Sequence, residues 1–312
     1  MKDILPSELL KIGTRGSPLA LAQAAETRAR LMVVWDLPES AFEFVVIQTS
    51  GDRIQDRPLR LVGGKGLFTK EIEEQLLDGR IDIAVHSMKD MPTHQPDGLV
   101  LDTYLPREDV RDAFVSPNIQ NISELPEGAR VGTSSLRRRA QLLNLRPDLE
   151  VVEFRGNVHT RLKKLENRVA SGTFLAMAGL NRLNVTDIGA NAIDTGDMLP
   201  AVGQGAIGIE RRSADEVTAN FLKPLNDVET EKRLVVERAF LDTLDGSCQT
   251  PIAGLAIIEG SELTLRGEVL RPDGTEKLSG IRIGSIADGV DMGRDLATYL
   301  LSQAGPDFFS WR

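Results

Sequence analysis

The sequence predicts an α/β protein: two α/β domains flanking a cleft, followed by a small C-terminal α+β domain. Three observations carry this reading. Short apolar runs alternate with helical periodicity in two successive blocks, the pattern of an α/β sheet protein. Basic and hydroxyl side chains recur where a strand-like run ends and a helix begins, the place where such sheets bind ligands. From about residue 223 the order changes to one helix, strand-like runs and a final helix. The expected bounds are residues 1–104 with 201–222 for the first domain, 105–200 for the second, and 223–312 for the third.

The elements follow in order. Residues 11–14 read as a strand, and Ser17-Pro18 starts a helix with an N-cap serine and a proline at its first position. Ala22, Ala25, Ala29, Met32 and Val33 supply that helix's apolar stripe. Residues 42–48 form a second strand. Residues 49–66, TSGDRIQDRPLRLVGGKG, have no clear period and read as a long loop, with 49–64 a candidate lid. Phe68, Ile72 and Leu76 mark a helix that Gly79 closes. Residues 81–85 are a strand that delivers His86 to Pro92, including Lys89 and Asp90, at its C-terminal end. Residues 103–115 read as a crossover into the second block.

There the strand ending at Gly132 runs into Thr133-Ser134-Ser135 and a helix with Leu136, Ala140 and Leu143 on one face. Arg137, Arg138 and Arg139 occupy its first turn, the wrong end of the macrodipole for cations, at about 0.3–1 kcal/mol each if exposed. An anion bound at that terminus explains the placement, and a solvated basic face explains it equally well from this stretch alone. The pattern repeats: strand 151–154, then Arg155-Gly156-Asn157, then a helix with Val158, Leu162, Leu165 and Val169 as its core stripe and Arg161 one turn in. Strand 173–178 releases Gly179 to Arg182, and residues 198–210 read as a loop into a strand returning to the first block. In the last domain a helix at 229–244 carries Val236, Phe240 and Leu244. The Ser247-Cys248-Gln249-Thr250-Pro251 loop follows, then strands at 263–269 and 277–283 and a helix near 290–301.

Composition bounds the function. The net charge of −9 over 312 residues and an aromatic content of 4% disfavour a general nucleic-acid binder. Any basic site is therefore local, a positive patch in an acidic body. The N-terminal stretch has no apolar core of a signal peptide, and no run of about 18 apolar residues exists, so neither export nor a membrane span is expected. The single cysteine fits a reducing compartment, and the cytoplasm is the expected location.

Several motifs fail on context. Gly203-Gln204-Gly205-Ala206-Ile207-Gly208 matches G-x-G-x-x-G but leads into a strand, so it is not read as a dinucleotide site. Gly63 to Gly66 is not a P-loop. The three histidines, His86, His94 and His159, have no metal spacing, so no metal is expected. On generic grounds Cys248 reads best as an inert small hydrophobe and Lys89-Asp90 as a solvated turn. What remains is a recurring arrangement. Arg15, Ser17, Ser87, Lys89, Asp90, Thr133, Ser135, Arg137, Arg138, Arg155, Arg161 and Arg182 all lie at or near strand ends and helix starts. Arginine suits bidentate recognition of carboxylates or phosphates, so the residues point to a ligand carrying several such groups.

These segments resemble the porphobilinogen deaminase (hydroxymethylbilane synthase) family. The stretches are TRGSPLAL, VGGKGLF, DIAVHSMKDMP, REDVRDAFVS, VGTSSLRRR, FRGNVHTRL, AGLNRL, LPAVGQGAIGIE and GSCQTPI, in the family's order between residues 14 and 252. Gly16 stands where many members carry a polar residue, and Ser247 where many carry glycine. The resemblance implies a transferase of tetrapyrrole biosynthesis that condenses four porphobilinogen molecules head to tail into a linear tetrapyrrole, with loss of four ammonias. It implies a dipyrromethane cofactor held through a thioether to Cys248, which overturns the inert reading of that thiol. Asp90 is implied as the catalytic carboxylate. Ser87, Lys89, Asp90, Thr133, Ser135, Arg137 and Arg138 are implied for cofactor binding. Arg15, Ser17, Arg155, Gly156, Arg161, Arg182 and Gln204 are implied for substrate binding, and Lys65, at the base of the glycine-rich loop, is a further substrate-binding candidate. The family also suggests a monomer, and composition leaves no nucleic-acid or membrane partner expected. The competing reading is a non-catalytic, two-lobed binding protein of the periplasmic type, which needs neither Asp90 nor Cys248.

Overall fold

Ser17 sets the first helix. Its hydroxyl accepts from the Ala20 amide at 3.2 Å and Pro18 occupies the first turn, so only Gly16 and Ser17 separate β1 (Leu10–Arg15) from α1 (Pro18–Trp35). The structure, a computed structural model, describes residues 9–53, 66–186, 188–246 and 250–311. Within it the chain forms two compact units, Met1–Arg107 with Ala206–Glu231, and Glu108–Gly205 with Lys232–Arg312.

In the first unit β1 pairs in parallel with β2 (Phe42–Ile47) and β3 (Ile83–Ser87). The returning strand β10 (Ile207–Arg212) runs antiparallel between β3 and β4 (Leu99–Tyr104), giving the order β2-β1-β3-β10-β4. Both faces are covered, as a largely parallel sheet requires. On one face Ala24 and Leu31 of α1 pack with Ile12, Val85, Ile209 and Phe221 of α7 (Glu216–Leu222). On the other, Ile72 and Leu76 of α3 (Lys70–Leu77) meet Ile47, Ala84 and Leu99. Gly79 closes α3 at a φ of +70°, as its place after the helix predicts.

Two expectations fail here. The buried face of α1 is Ala20, Gln23, Ala24, Thr27 and Leu31, whereas Ala29 and Val33 point to solvent. Alanines lie on several faces of this helix, so apolar spacing does not fix its phase. Gln23 and Thr27 accept burial because Ser87 and the Gln23 carbonyl satisfy them. The expected loop at 49–66 begins with a helical turn, α2 (Ser50–Arg53), and the rest of the candidate lid, residues 54–64, lies outside the described residues.

The second unit repeats the plan. Its sheet has the order β7-β6-β8-β5-β9, with β6 (Arg130–Gly132) parallel to β7 (Glu150–Val152) and β8 (Gly172–Ala176). Antiparallel to these, β5 (Asp112–Val115) lies between β8 and β9 (Ala190–Ala192). Phe114 and Phe174 anchor one face at a centroid separation of 5.9 Å, with Val131, Leu142 and Met198 around them. Phe154, Leu165 and Leu180 fill the other. Val169, expected in the core, is exposed because α5 (Val158–Glu166) stops before it. The same unit contains α8 from Lys232 onward, within Val228–Thr243, and a meander of β11 (Ile252–Glu259), β12 (Glu262–Leu270) and β13 (Lys277–Ser285). Val236, Phe240 and Leu244 pack there against Leu263, Leu265 and α9 (Gly289–Gln303).

Candidate active site

In the first unit the strand ends carry two groups. At the end of β1, Arg15 forms a close two-point pair with Asp52 of α2, and its guanidinium lies 4.2 Å from the Phe68 ring centroid. Burial alone would raise the Asp52 carboxyl, but Arg15 and Thr49 hold it below the ordinary value. This contact explains why residues 50–53 fold as a turn. Ser17 is occupied as the α1 cap. At the end of β3, Ser87 exchanges hydrogen bonds with the buried Gln23 amide at 2.8 and 3.1 Å. A 3-10 turn, Met88–Asp90, follows and presents Lys89 and Asp90 half-exposed beside it. Within that strand, His86 Nε2 lies 3.0 Å from Glu210 on β10, both buried. Burial pushes the nearby Glu73 carboxyl up, with Glu210 adding to the shift and His86 opposing it.

The second unit gathers more charge. Ser135 caps α4 (Leu136–Leu145) by accepting from the Arg138 amide, and Thr133 accepts from the Ser135 amide at 3.1 Å. Arg137 and Arg138 are mostly buried, 5% and 6% exposed, and converge on Asp112, which is fully buried. Arg137 Nη1 lies 2.7 Å from one Asp112 oxygen, while Arg138 Nη2 and Nε donate to the other at 2.7 and 3.1 Å. Desolvation alone would raise the Asp112 carboxyl, yet the two guanidinium groups hold it well below the usual carboxylate range. Gln204, 1% exposed, donates to the same oxygen at 2.9 Å and to the Val110 carbonyl. The carboxylate therefore answers the dipole penalty that the arginine run poses in the sequence.

Beside this cluster, Asn157 caps α5, and Gly156 takes a φ of +119° where an added Cβ would lie 2.6 Å from Thr160. Arg161 donates to the Gly156 carbonyl at 2.9 Å, and Lys164 to that of Arg155 at 3.0 Å. Desolvation, with Arg138 and Arg155 as like charges nearby, pushes Arg161 down to about 10. Arg182, at the end of α6 (Met177–Arg182), donates to the Gly205 carbonyl. Gly203 and Gly205 adopt φ values of +72° and +88° and lead directly into β10, which supports the rejection of a dinucleotide site. Lys65 and Cys248 lie outside the described residues.

This unit fits a polycarboxylate. Among the described residues the buried Arg137 Nε has no hydrogen-bond partner, and Arg161 sits among like charges that an anion would relieve. Asp52, Gln23 and Asp112 escaped the sequence reading. Only Asp112 had a signal, an acid opening an apolar strand near an unexplained arginine run.

Fold and charge together define a class: an α/β protein with two sheets of like order and cation-rich strand ends. Two family models cover the chain. One, described as "Porphobilinogen deaminase, dipyromethane cofactor binding domain", matches residues 10–220. The other, "Porphobilinogen deaminase, C-terminal domain", matches residues 232–302. The chain belongs to the porphobilinogen deaminase family. It is 62% identical over 306 residues to a porphobilinogen deaminase of Paracoccus denitrificans, covering 98% of each chain. It is 53% identical over 302 residues to that of Nitrobacter winogradskyi, covering 97% of this chain and 96% of the relative. Among solved structures, the aliphatic sulphonate binding protein SsuA of Escherichia coli is 15% identical with a TM-score of 0.41, over 77% of this chain and 71% of that one. No described helix is long and apolar enough to cross a membrane.

Proposed function

We propose that the chain is a transferase that polymerises porphobilinogen, a porphobilinogen deaminase that releases the linear tetrapyrrole hydroxymethylbilane. Likeness to deaminases along nearly the whole chain favours this over a non-catalytic binder. The structural observation that supports it best is the cation cluster around Arg137, Arg138 and Arg161, suited to a pyrrole chain that carries two carboxylates per ring.

In this reading Cys248, in the C-terminal domain, holds the dipyrromethane cofactor through a thioether. When bound, the cofactor supplies the pyrrole α-carbon that primes each chain. Ser87, Lys89, Thr133, Ser135, Arg137 and Arg138 hold its carboxylates. Arg15, Ser17, Lys65, Arg155, Gly156, Arg161, Arg182 and Gln204 serve the incoming substrate, with the buried Gln204 acting through Asp112 and Ser17 through its helix terminus. Each addition breaks the bond from the substrate's aminomethyl carbon to ammonia, forms one carbon–carbon bond and releases one α-proton. Departure of ammonia leaves positive charge on the substrate pyrrole. Asp90, carried on a 3-10 turn and half-exposed, accepts the pyrrole N–H and stabilises that charge as it develops. It also relays the proton between the leaving amine and the ring carbon. We place the enzyme in the cytoplasm as a monomer acting on a small molecule, without nucleic acid. The test is direct: purified protein given porphobilinogen should release four ammonias per tetrapyrrole, with the product identified by mass. Binding without ammonia release would return the chain to the binder class.

A further inference from the structure

A buried carboxylate in the C-terminal meander reaches the arginine cluster. Glu268 lies on β12, beside Val269 and Leu270 in the core, and is 8% exposed. Its Oε1 accepts a short hydrogen bond from Gln141 Nε2 on α4. Gln141, itself buried, sits one turn after Arg137, and its Oε1 accepts from Arg137 Nη1 at 3.0 Å. The same Nη1 donates to the Leu199 carbonyl at 2.9 Å and lies 2.7 Å from Asp112. Gln141 Nε2 donates to Leu199 as well, at 3.0 Å.

The two ends of an amide side chain are nearly equal in shape and opposite in hydrogen bonding. A carboxylate only accepts, so Glu268 requires the Gln141 NH2 and turns the amide oxygen towards Arg137. The Leu199 carbonyl, which accepts from both Arg137 and the Gln141 NH2, favours the same orientation, and Glu268 adds the charged acceptor to it. With the amide reversed, its NH2 would face the guanidinium, donor against donor. The other charges near Glu268 are Lys277, with Nζ at 3.9 Å, Arg266 and Arg137, and of these Arg137 touches the amide, donating to its oxygen. Burial pushes the Glu268 carboxyl up despite those cations. A carboxylate is costly to desolvate here, so its replacement by an apolar side chain of similar size is expected to leave stability unchanged or raise it.

We infer that Glu268 is a positioning residue for Arg137, acting through the Gln141 amide, so that the C-terminal meander sets the guanidinium offered to the cofactor's carboxylates. This rests on the proposed role of Arg137. The test follows cofactor assembly and not turnover. Full-length apoprotein is incubated with porphobilinogen, and adduct gain is timed by intact mass. Glu268→Leu should assemble about tenfold more slowly, with a thermal midpoint equal to or above that of the wild type. Glu268→Gln keeps an accepting oxygen and should stay within about twofold. Arg137→Lys should be slow, and adding Glu268→Leu to it should cost nothing more. Wild-type assembly in Glu268→Leu beside a slow Arg137→Lys overturns the inference, as does a double variant in which the two losses multiply. Wild-type assembly in Arg137→Lys overturns the site reading itself, and the inference with it.

Discussion

Replacing Asp112 with asparagine tests the buried cluster most severely. The carboxylate is wholly enclosed and neutralises two guanidinium groups that are themselves almost without solvent. Asparagine retains one oxygen, which still accepts from Arg138 and Gln204. It places an NH2 against Arg137 Nη1, where the wild type has an oxygen at 2.7 Å. One favourable contact becomes a donor pair, and a cluster of net charge +1 becomes +2. Removing one partner of a buried ion pair costs about 3–5 kcal/mol. For a unit of 150–250 residues each kcal/mol moves the thermal midpoint by about 2–4 °C, so the variant should melt about 6–20 °C lower at pH 7. The pH dependence has a definite sign. Asp112 titrates in the folded state below its unfolded value of 3.8. Its stabilisation is therefore complete above that pH and is lost as pH falls through the folded value. The gap between the two proteins should accordingly narrow below pH 3.8 and stay constant from 5 to 8. Circular dichroism melts across that range measure both. A midpoint shift under about 3 °C at pH 7 would refute the claim that Asp112 carries the two arginines.

Asp90→Asn should lose at least about a hundredfold in turnover, because the group meets charge that develops only in the transition state. Its melting temperature should hardly move, since the side chain is half-exposed, and steady-state ammonia release with a parallel melt decides this. Glu73→Gln should raise stability at neutral pH. Burial lifts the wild-type carboxyl above its unfolded 4.5, so stability is lost as pH rises through the folded value. Melts that keep the same slope above pH 4.5 in both proteins would contradict that cause. Gly156→Ala should cost about 1–3 kcal/mol in urea unfolding, because alanine must adopt a φ of +119° and displace Thr160. An unchanged urea midpoint would mean the loop relaxes freely.

How far the sequence could be read depended on whether the signal was local. Ser17, Ser135 and Asn157 cap helices that begin where their side chains predict, since an N-cap acts over three residues. Val236, Phe240 and Leu244 are buried as their spacing implies. The α1 stripe was misplaced because alanine leaves the phase open and hydrogen bonds bury Gln23 and Thr27 instead. β11 passed unnoticed because a continuous apolar run without alternation fits strand or buried helix alike. Within the site, the placement of the arginines and Asp90 between elements was legible, whereas the role proposed for Asp90 came from family likeness. The partners of the arginines were not legible: Asp52 lies 37 residues from Arg15, and Asp112 lies 26 from Arg138, distances at which only the fold pairs them. The chemistry of Cys248 came from family likeness, because a lone thiol in a polar loop carries no local signature.

The most direct test of the account is the intact mass of the denatured protein after incubation with porphobilinogen, compared with Cys248→Ser treated alike. The account predicts a wild-type excess equal to two porphobilinogen units less two ammonias, absent from the variant. An unmodified wild type, or an equal adduct in Cys248→Ser, would contradict a covalent primer at that residue and the polymerising mechanism built on it.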